Sequence, residues 1–152
     1  MLNRLNPFLA GCILSVIVLV ASSFVLLGPA SAQTVTEEVE VSTQTVIADQ
    51  LDAFQQRDYE RAFSHAAPTI KQIFKNTDNF IRMVKGGYGV LYDPDRYIFG
   101  RNFNVDGTIH QEVIATDESG KQWQAIYTLR QQDDGSWKIT GVKMEPYQGA
   151  AT

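Results

Sequence analysis

The hydrophobic pattern of the chain changes once, near its middle. Between residues 42 and 86, apolar side chains recur at the three- and four-residue spacing of amphipathic helices. From residue 97 they alternate with polar side chains, and the turn signals Asp106-Gly107, Gly120 and Gly135 separate the runs. Helices followed by a meander of strands predict a single α+β domain in which the helices cover one face of an antiparallel sheet.

Three helices are predicted in the first half. The first begins at Ser42 or Thr43, Asp58 caps the second, and Asn76 or Thr77 opens the third. Pro68 interrupts the second helix, and a short turn follows it. The predicted apolar faces are Val46, Ile47, Leu51 and Phe54 in the first helix; Tyr59, Ala62, Phe63 and Ala66 in the second; Ile70, Ile73 and Phe74 in the turn after Pro68; and Phe80, Met83 and Val84 in the third helix.

Four strands are predicted in the second half, around residues 97–105, 108–116, 122–131 and 136–144. Large side chains share one face of the last two strands: Trp123, Ala125, Tyr127 and Leu129 in one, Trp137 and Ile139 in the other. Aromatic side chains on a covered sheet face either fill the core or line an aromatic pocket. Both interpretations stay open at this point, and Trp137 and Ile139 are expected to belong to the core.

Residues 1–32 have the features of a secretory signal peptide. Arg4 is their only charge, an apolar run covers residues 8–27, and Gly28-Pro29 precedes Ala30-Ser31-Ala32. Cleavage after Ala32 predicts an exported protein, periplasmic or secreted, with no membrane segment left. The alternative is an uncleaved membrane anchor, because the apolar run is about as long as the roughly 20 residues that span a bilayer.

The remaining chain is acidic and lacks cysteine once Cys12 is removed with the leader. The full chain has a formal net charge of −4, and this acidity without a basic stripe argues against both nucleic acid and anionic membrane surfaces as partners. Residues 33–41 are polar without a helical period and are predicted to be a disordered arm. Residues 42–147 form the predicted domain, and residues 148–152 a disordered tail.

A set of short motifs follows in register along this domain. They are Gln50-Leu51-Asp52-Ala53-Phe54, Asp58, Ala62-Phe63, Ala67-Pro68, Phe80 with Met83-Val84, Gly87-Tyr88, Tyr92 with Pro94, Phe99-Gly100, and Asp134-Gly135-Ser136-Trp137-Lys138-Ile139-Thr140-Gly141. In these residues the chain resembles a family of small exported bacterial proteins described only as a domain of unknown function. That family is similar to the nuclear-transport-factor-2-like (NTF2-like) superfamily, which includes SnoaL-like and ketosteroid-isomerase-like domains. The chain departs from the family pattern at Gly89, where relatives are expected to carry proline.

The resemblance implies a cone-shaped α+β fold. About three N-terminal helices would pack on a strongly curved, mainly antiparallel sheet of four or more strands, with a pocket between the two layers. It implies no chemistry, because this superfamily includes enzymes, binding modules and dimerisation modules.

The segment 86–94 after the third helix is the most unusual local stretch. Its glycines either present Tyr88 and Tyr92 at a pocket mouth, or cap the helix while both tyrosines pack on the sheet. It lacks the Gly-Lys-Ser/Thr ending of a phosphate-binding loop. His65 and His110 lack the spacing of a metal motif, so no metal or other cofactor is predicted.

An isomerase-like site needs an inward-facing carboxylate and tyrosine donors. Asp52 and Glu60 fall on the polar faces of their predicted helices, which leaves Glu112 as the one candidate acid. We therefore expect a small-ligand-binding or protein-assembly module of the bacterial envelope, with a homodimer formed through the outer sheet face. The expected ligand is apolar or aromatic, and the predicted pocket residues are Tyr88, Tyr92, Trp123 and Tyr127. The alternative is a small-molecule enzyme with an isomerase- or hydratase-like pocket.

Overall fold

Helices precede strands in the structure, a computed structural model that describes residues 34–149. The helices are α1 (Glu37–Gln55), α2 (Tyr59–Ser64), α3 (Pro68–Phe74), α4 (Thr77–Gly87) and α5 (Gly89–Tyr92). The strands are β1 (Arg96–Val105), β2 (Thr108–Thr116), β3 (Gln122–Gln131) and β4 (Trp137–Pro146). They form one antiparallel sheet in the order β1-β2-β3-β4, which confirms the predicted α+β class.

The predicted signal peptide lies outside the described residues, as do residues 150–152 of the predicted tail. Within residues 34–149, no helix has both the length and the apolar character needed to cross a membrane.

Helix α1 begins at Glu37, five residues before the predicted cap, so residues 37–41 are helical rather than part of a disordered arm. Glu37, Glu38 and Glu40 lie in its first turn, where negative charge interacts favourably with the positive end of the helix dipole. The acidic composition that indicated disorder therefore stabilises a helix start. Further along, Leu51 is completely buried and anchors this helix in the core.

The predicted caps of α2 and α4 are confirmed. The carboxylate of Asp58 accepts a hydrogen bond from the backbone N–H of Arg61 at 3.2 Å, at the start of α2. The side chain of Asn76 accepts one from the backbone N–H of Asn79 at 2.9 Å, at the start of α4. Each cap satisfies a backbone donor that has no partner inside its helix.

The glycine-rich segment after α4 is more helical than predicted. Helix α4 continues through Gly87, and the one-turn helix α5 follows directly after Tyr88. Tyr88 itself occupies the capping position with a φ of −135°. The prediction that Gly86 or Gly87 caps the helix in the left-handed conformation is therefore wrong, since neither residue has a positive φ.

The sheet has one face in the core and one outside it. Val113, Ala115, Ala125, Tyr127, Leu129 and Ile139 are buried on the core face, as the predicted alternation requires. Trp137 is half-buried against this core. The β1–β2 connection is a two-residue turn in which Asp106 and Gly107 have φ values of 49° and 77°, as a type I′ hairpin needs.

Candidate functional site

A cavity of about 280 Å³ lies between the helices and the core face of β3 and β4. Its wall is made almost entirely of aliphatic and aromatic side chains. The lining residues are Gln50, Phe54, Ala66, Ile70, Ile73, Phe74, Phe80, Met83, Val84, Tyr88, Leu91, Tyr127, Ile139, Gly141 and Val142. This set contains no charged side chain, so the described part of the wall is suited to an uncharged, apolar molecule.

Three polar side chains reach this wall, and they differ in their hydrogen bonds. The hydroxyl of Tyr88 donates to the carbonyl oxygen of Val142 at 3.0 Å, and the amide nitrogen of Gln50 donates to the carbonyl oxygen of Ala62 at 3.1 Å. The hydroxyl of Tyr127 forms no hydrogen bond with any group of residues 34–149, although the residue is only 1% exposed. No sealed polar side-chain atom in that part of the chain lacks a partner, so this hydroxyl is open to the cavity.

The phenol of Tyr127 stays neutral. Burial in this apolar environment raises its pKa above the usual value of a tyrosine. The hydroxyl therefore carries its proton over the whole physiological range and can donate it to an acceptor in the cavity.

The mouth of the cavity lies at α3, the least buried helix of the described domain. None of its residues is buried, and Ile73 at the mouth is 66% exposed. Pro68 starts the helix, and Lys75 ends it with a φ of 68°, a left-handed conformation that is uncommon for a residue with a side chain. A small molecule would enter beside the exposed side chain of Ile73.

The structure brings two of the four predicted pocket residues together and separates the other two. Tyr88 and Tyr127 both line the cavity, whereas Tyr92 and Trp123 are not part of its wall. Tyr92 lies on α5 and turns towards α2. Trp123 lies at the opposite end of β3 from the cavity, where its ring nitrogen donates to Asp117 at 3.1 Å. These placements correct the predicted pocket lining.

Tyr92 belongs to a group of four side chains that we name the basic tyrosine cluster: Arg57, Tyr59, Lys85 and Tyr92. The two tyrosine hydroxyls are hydrogen-bonded at 2.7 Å, and the guanidinium of Arg57 donates to the hydroxyl of Tyr92. The ammonium of Lys85 lies 5.2 Å from the ring centre of Tyr59 and 5.0 Å from that of Tyr92. These contacts keep the hydroxyl end of Tyr92 in the cluster, while its ring packs half-buried against the core.

Both histidines have structural partners. The ring nitrogen Nε2 of His65 is 2.5 Å from the carboxylate of Asp49, which also pairs with Arg61. Hydrogen bonding to Arg61, with a smaller effect of His65, lowers the pKa of Asp49 to about 2. The ring of His110 stacks on Phe103 at 4.8 Å. Residues 34–149 contain no group of three or more His, Cys, Asp or Glu side chains placed to hold a metal ion.

Glu112, the predicted candidate acid, faces away from the cavity. Its neighbours Gln111 and Val113 occupy the core face of β2, so its side chain lies on the outer face, where it is 8% exposed. The amide of Gln124 and the backbone N–H of Arg101 donate to the carboxylate. Burial alone would raise the pKa of Glu112, but these hydrogen bonds outweigh burial and lower it. The carboxylate therefore remains ionised and bonded within the sheet.

Comparison with known proteins identifies a family and a fold, and both matches are described as being of unknown function. The family described as "Domain of unknown function (DUF4864)" matches residues 36–152. The chain belongs to this family. A search of curated proteins finds no match. The crystal structure of an NTF2-like protein of unknown function from Shewanella baltica is similar, with a TM-score of 0.51 and 11% identity over 77% of this chain and 100% of that one. This likeness confirms the NTF2-like fold.

The β-bulge opposite Glu112 predicts that a side chain at Gly100 destabilises the fold. A methyl group at Gly100 would collide with the carboxylate of Glu112, because the bulge between Phe99 and Asn102 brings the two residues into contact. We expect Gly100→Ala to lower the free energy of unfolding by about 1–3 kcal/mol, as overpacking typically does. Urea denaturation measures this change.

Gly86→Ala is the matched control, because nothing lies within 4 Å of a methyl group at that helical position. It should leave the stability unchanged or raise it by about 0.5–1 kcal/mol. In a Glu112→Ala background the cost of Gly100→Ala should shrink, which a double-mutant cycle detects. Equal costs in both backgrounds would show that the carboxylate does not restrict residue 100.

Proposed function

We propose that this domain binds a small uncharged ligand, apolar or aromatic with one hydrogen-bond acceptor, in the cavity under α3. The observation that carries the proposal is the hydroxyl of Tyr127, which lines a mostly apolar wall and, unlike Gln50 and Tyr88, has no hydrogen-bond partner among residues 34–149. A ligand that supplies an acceptor to this hydroxyl gains about 1 kcal/mol, the typical net contribution of one hydrogen bond.

The composition of the cavity wall supports binding over catalysis. Proton abstraction next to a carbonyl group requires a carboxylate or histidine within hydrogen-bond reach of the substrate. The described lining contains neither, and Glu112 is engaged on the outer sheet face. An isomerase- or hydratase-like reaction would therefore lack its base in this cavity, whereas a binding function needs only the apolar wall and the tyrosine donor.

Two ligands of nearly equal shape test this proposal: acetophenone, which carries a carbonyl acceptor, and ethylbenzene, which does not. The wild-type protein should bind both and prefer acetophenone, because only its oxygen accepts from Tyr127. Tyr127→Phe should remove that preference, a loss of about 1 kcal/mol or about fivefold in relative affinity. Calorimetric titration, or chemical shifts of the methyl groups of Ile70 and Met83, measures both affinities.

Tyr88→Phe is the matched control, because its hydroxyl already donates to the carbonyl of Val142. This variant should retain the preference for acetophenone. Failure of both ligands to bind the wild-type protein at millimolar concentration would exclude the cavity as a binding site. Loss of the preference in both variants alike would exclude Tyr127 as its specific donor.

We further propose that the domain forms a homodimer through the outer face of its sheet. Ile98 and Phe103 are exposed on this face, by 61% and 39%. Ile98 lies directly opposite Ile114, and the half-buried Ile126 is on the same face, two strands from Ile98. A second copy of the sheet would cover this apolar strip, whose exposure on a monomer is unfavourable.

Ile98→Asp should therefore convert the dimer into a monomer, because it would bury a carboxylate without a partner in the proposed apolar interface. Val41→Asp, which replaces a 58% exposed side chain of α1, should leave the dimer intact. Sedimentation equilibrium measures both masses. A wild-type protein that is monomeric throughout would overturn the dimer proposal.

We also propose that the protein is exported and that cleavage after Ala32 releases it. The leading Arg4, the apolar run and the Ala-Ser-Ala sequence at residues 30–32 support this proposal.

Protein isolated from the envelope fraction of producing cells should have the intact mass of a chain that begins at Gln33. Ala32→Gln should block cleavage and retain the full-length mass, since the peptidase requires a small residue there. Ser31→Gln, at the tolerant middle position, should be processed normally. A full-length wild-type mass in the membrane fraction would show an anchor instead.

A further inference from the structure

The basic tyrosine cluster has more hydrogen-bond donors than acceptors. Its two hydroxyls share one hydrogen bond, so one of their two protons has no acceptor among residues 34–149. The guanidinium of Arg57 and the ammonium of Lys85 add further donors and no acceptor. In the described part of the chain, neither cation forms an ion pair with a carboxylate.

A cleft of about 350 Å³ opens beside this cluster, lined by Tyr59, Asp78, Ile81, Arg82 and Lys85. Arg82 and Lys85 are the two cations that line the cleft. Asp78 is its one carboxylate, and it lies seven residues before Lys85 on α4, about 10 Å along the helix axis. The end of the cleft at Tyr59 and Lys85 is therefore positively charged, although the chain as a whole has a net charge of −4.

The backbone at Arg57 is a second, independent observation. Arg57 has a φ of 60° directly after α1, and its N–H donates to the carbonyl of Phe54 while that of Asp58 donates to Ala53. This pair of bonds is the Schellman motif, in which the left-handed position is usually glycine. An arginine there costs roughly 1–2 kcal/mol more than glycine. The side chain of Arg57 enters the basic tyrosine cluster. Backbone strain retained at such a position indicates that the side chain has a function.

We propose that the basic tyrosine cluster is an oxyanion-binding site that takes a phosphate group, separate from the apolar cavity. The guanidinium, the ammonium and one phenol proton supply three kinds of donor to the phosphate oxygens, in charge-assisted hydrogen bonds. Arg57 binds two oxygens through its planar fork, and Lys85 acts as a compact positive charge above the two rings.

Inorganic phosphate is the probe, titrated at constant ionic strength with chloride as the balancing anion. We expect saturable binding by calorimetry, weakened at least tenfold in Lys85→Gln and in Arg57→Gly, and severalfold in Tyr59→Phe. Lys121→Gln is the matched control: this ammonium lies 4.1 Å from the ring centre of Trp123, away from the cluster, and its loss should not alter binding.

Arg57→Gly separates binding from folding. Because glycine suits the left-handed position, this variant should unfold at the same or a higher urea concentration than the wild type while losing phosphate. A variant that loses stability and affinity together would overturn the assignment of strain to function. Equal phosphate affinity in Arg57→Gly and Lys121→Gln, or equal competition by chloride, would overturn the site.

The ionisation of Tyr59 provides a direct readout. Hydrogen bonding to Tyr92 and Arg57 lowers the pKa of Tyr59 to about 8. Bound phosphate brings negative charge next to this phenol, so it should shift the appearance of tyrosinate absorbance to higher pH. The charged groups around Tyr59 include Arg57, Lys85, Arg82 and Asp78, together with its chain neighbours Asp58 and Glu60. If added phosphate does not shift the pH at which tyrosinate absorbance appears, the anion binds elsewhere.

Vesicles distinguish two sources of the same phosphate chemistry. Binding of free phosphate without binding to phosphatidylglycerol vesicles supports a soluble phosphate compound as the ligand. Cosedimentation with phosphatidylglycerol but not phosphatidylcholine vesicles, lost in Lys85→Gln, supports an anionic phospholipid headgroup. Vesicle binding that persists in Lys85→Gln would be non-specific and would not support the site.

Discussion

Two backbone hydrogen bonds at Ile139 join the helix layer to the edge of the sheet. Its N–H donates to the carbonyl of His65 at 2.9 Å, and its carbonyl accepts from the N–H of Ala67 at 2.8 Å. They form a single parallel bridge between β4 and the segment that connects α2 with α3. The bridge pairs part of an otherwise open strand edge, and it determines where Pro68 can begin the next helix.

The cavity lies next to this attachment. The bridge holds the start of α3 at the sheet edge, and Ile70 and Phe74 of α3 pack against the core while Ile73 stays exposed beside the cavity. No residue of α3 is buried, while Tyr127 beneath it is 1% exposed. Ala66 and Ile139, the bridged residues, both line the cavity. The main-chain contact that joins the two layers therefore also forms part of the cavity wall.

The fold was largely predictable from local pattern, and the site only partly. Caps, turns and alternating strand faces follow from a few neighbouring residues, as Asp58 and Asn76 illustrate. The orientation of a tyrosine side chain next to a glycine does not follow from its neighbours in sequence, because residues distant in the chain determine it. The hydroxyl of Tyr88 reaches the carbonyl of Val142 on β4, whereas the hydroxyl of Tyr92 bonds to that of Tyr59, beside the ammonium of Lys85. A cavity is likewise invisible in sequence, because it depends on how far two layers are separated.

Helix α4 connects the two proposed sites. One face contributes Met83 and Val84 to the cavity wall, and the adjacent position, Lys85, belongs to the basic tyrosine cluster. The ring of Tyr92 is 6.1 Å from that of Phe54, which lines the cavity, so the sites share an aromatic wall. Changes at Phe54 would disturb both sites together. Tyr127 and Arg57 each belong to only one of them, and for that reason the functions of the two sites can be separated by substitution.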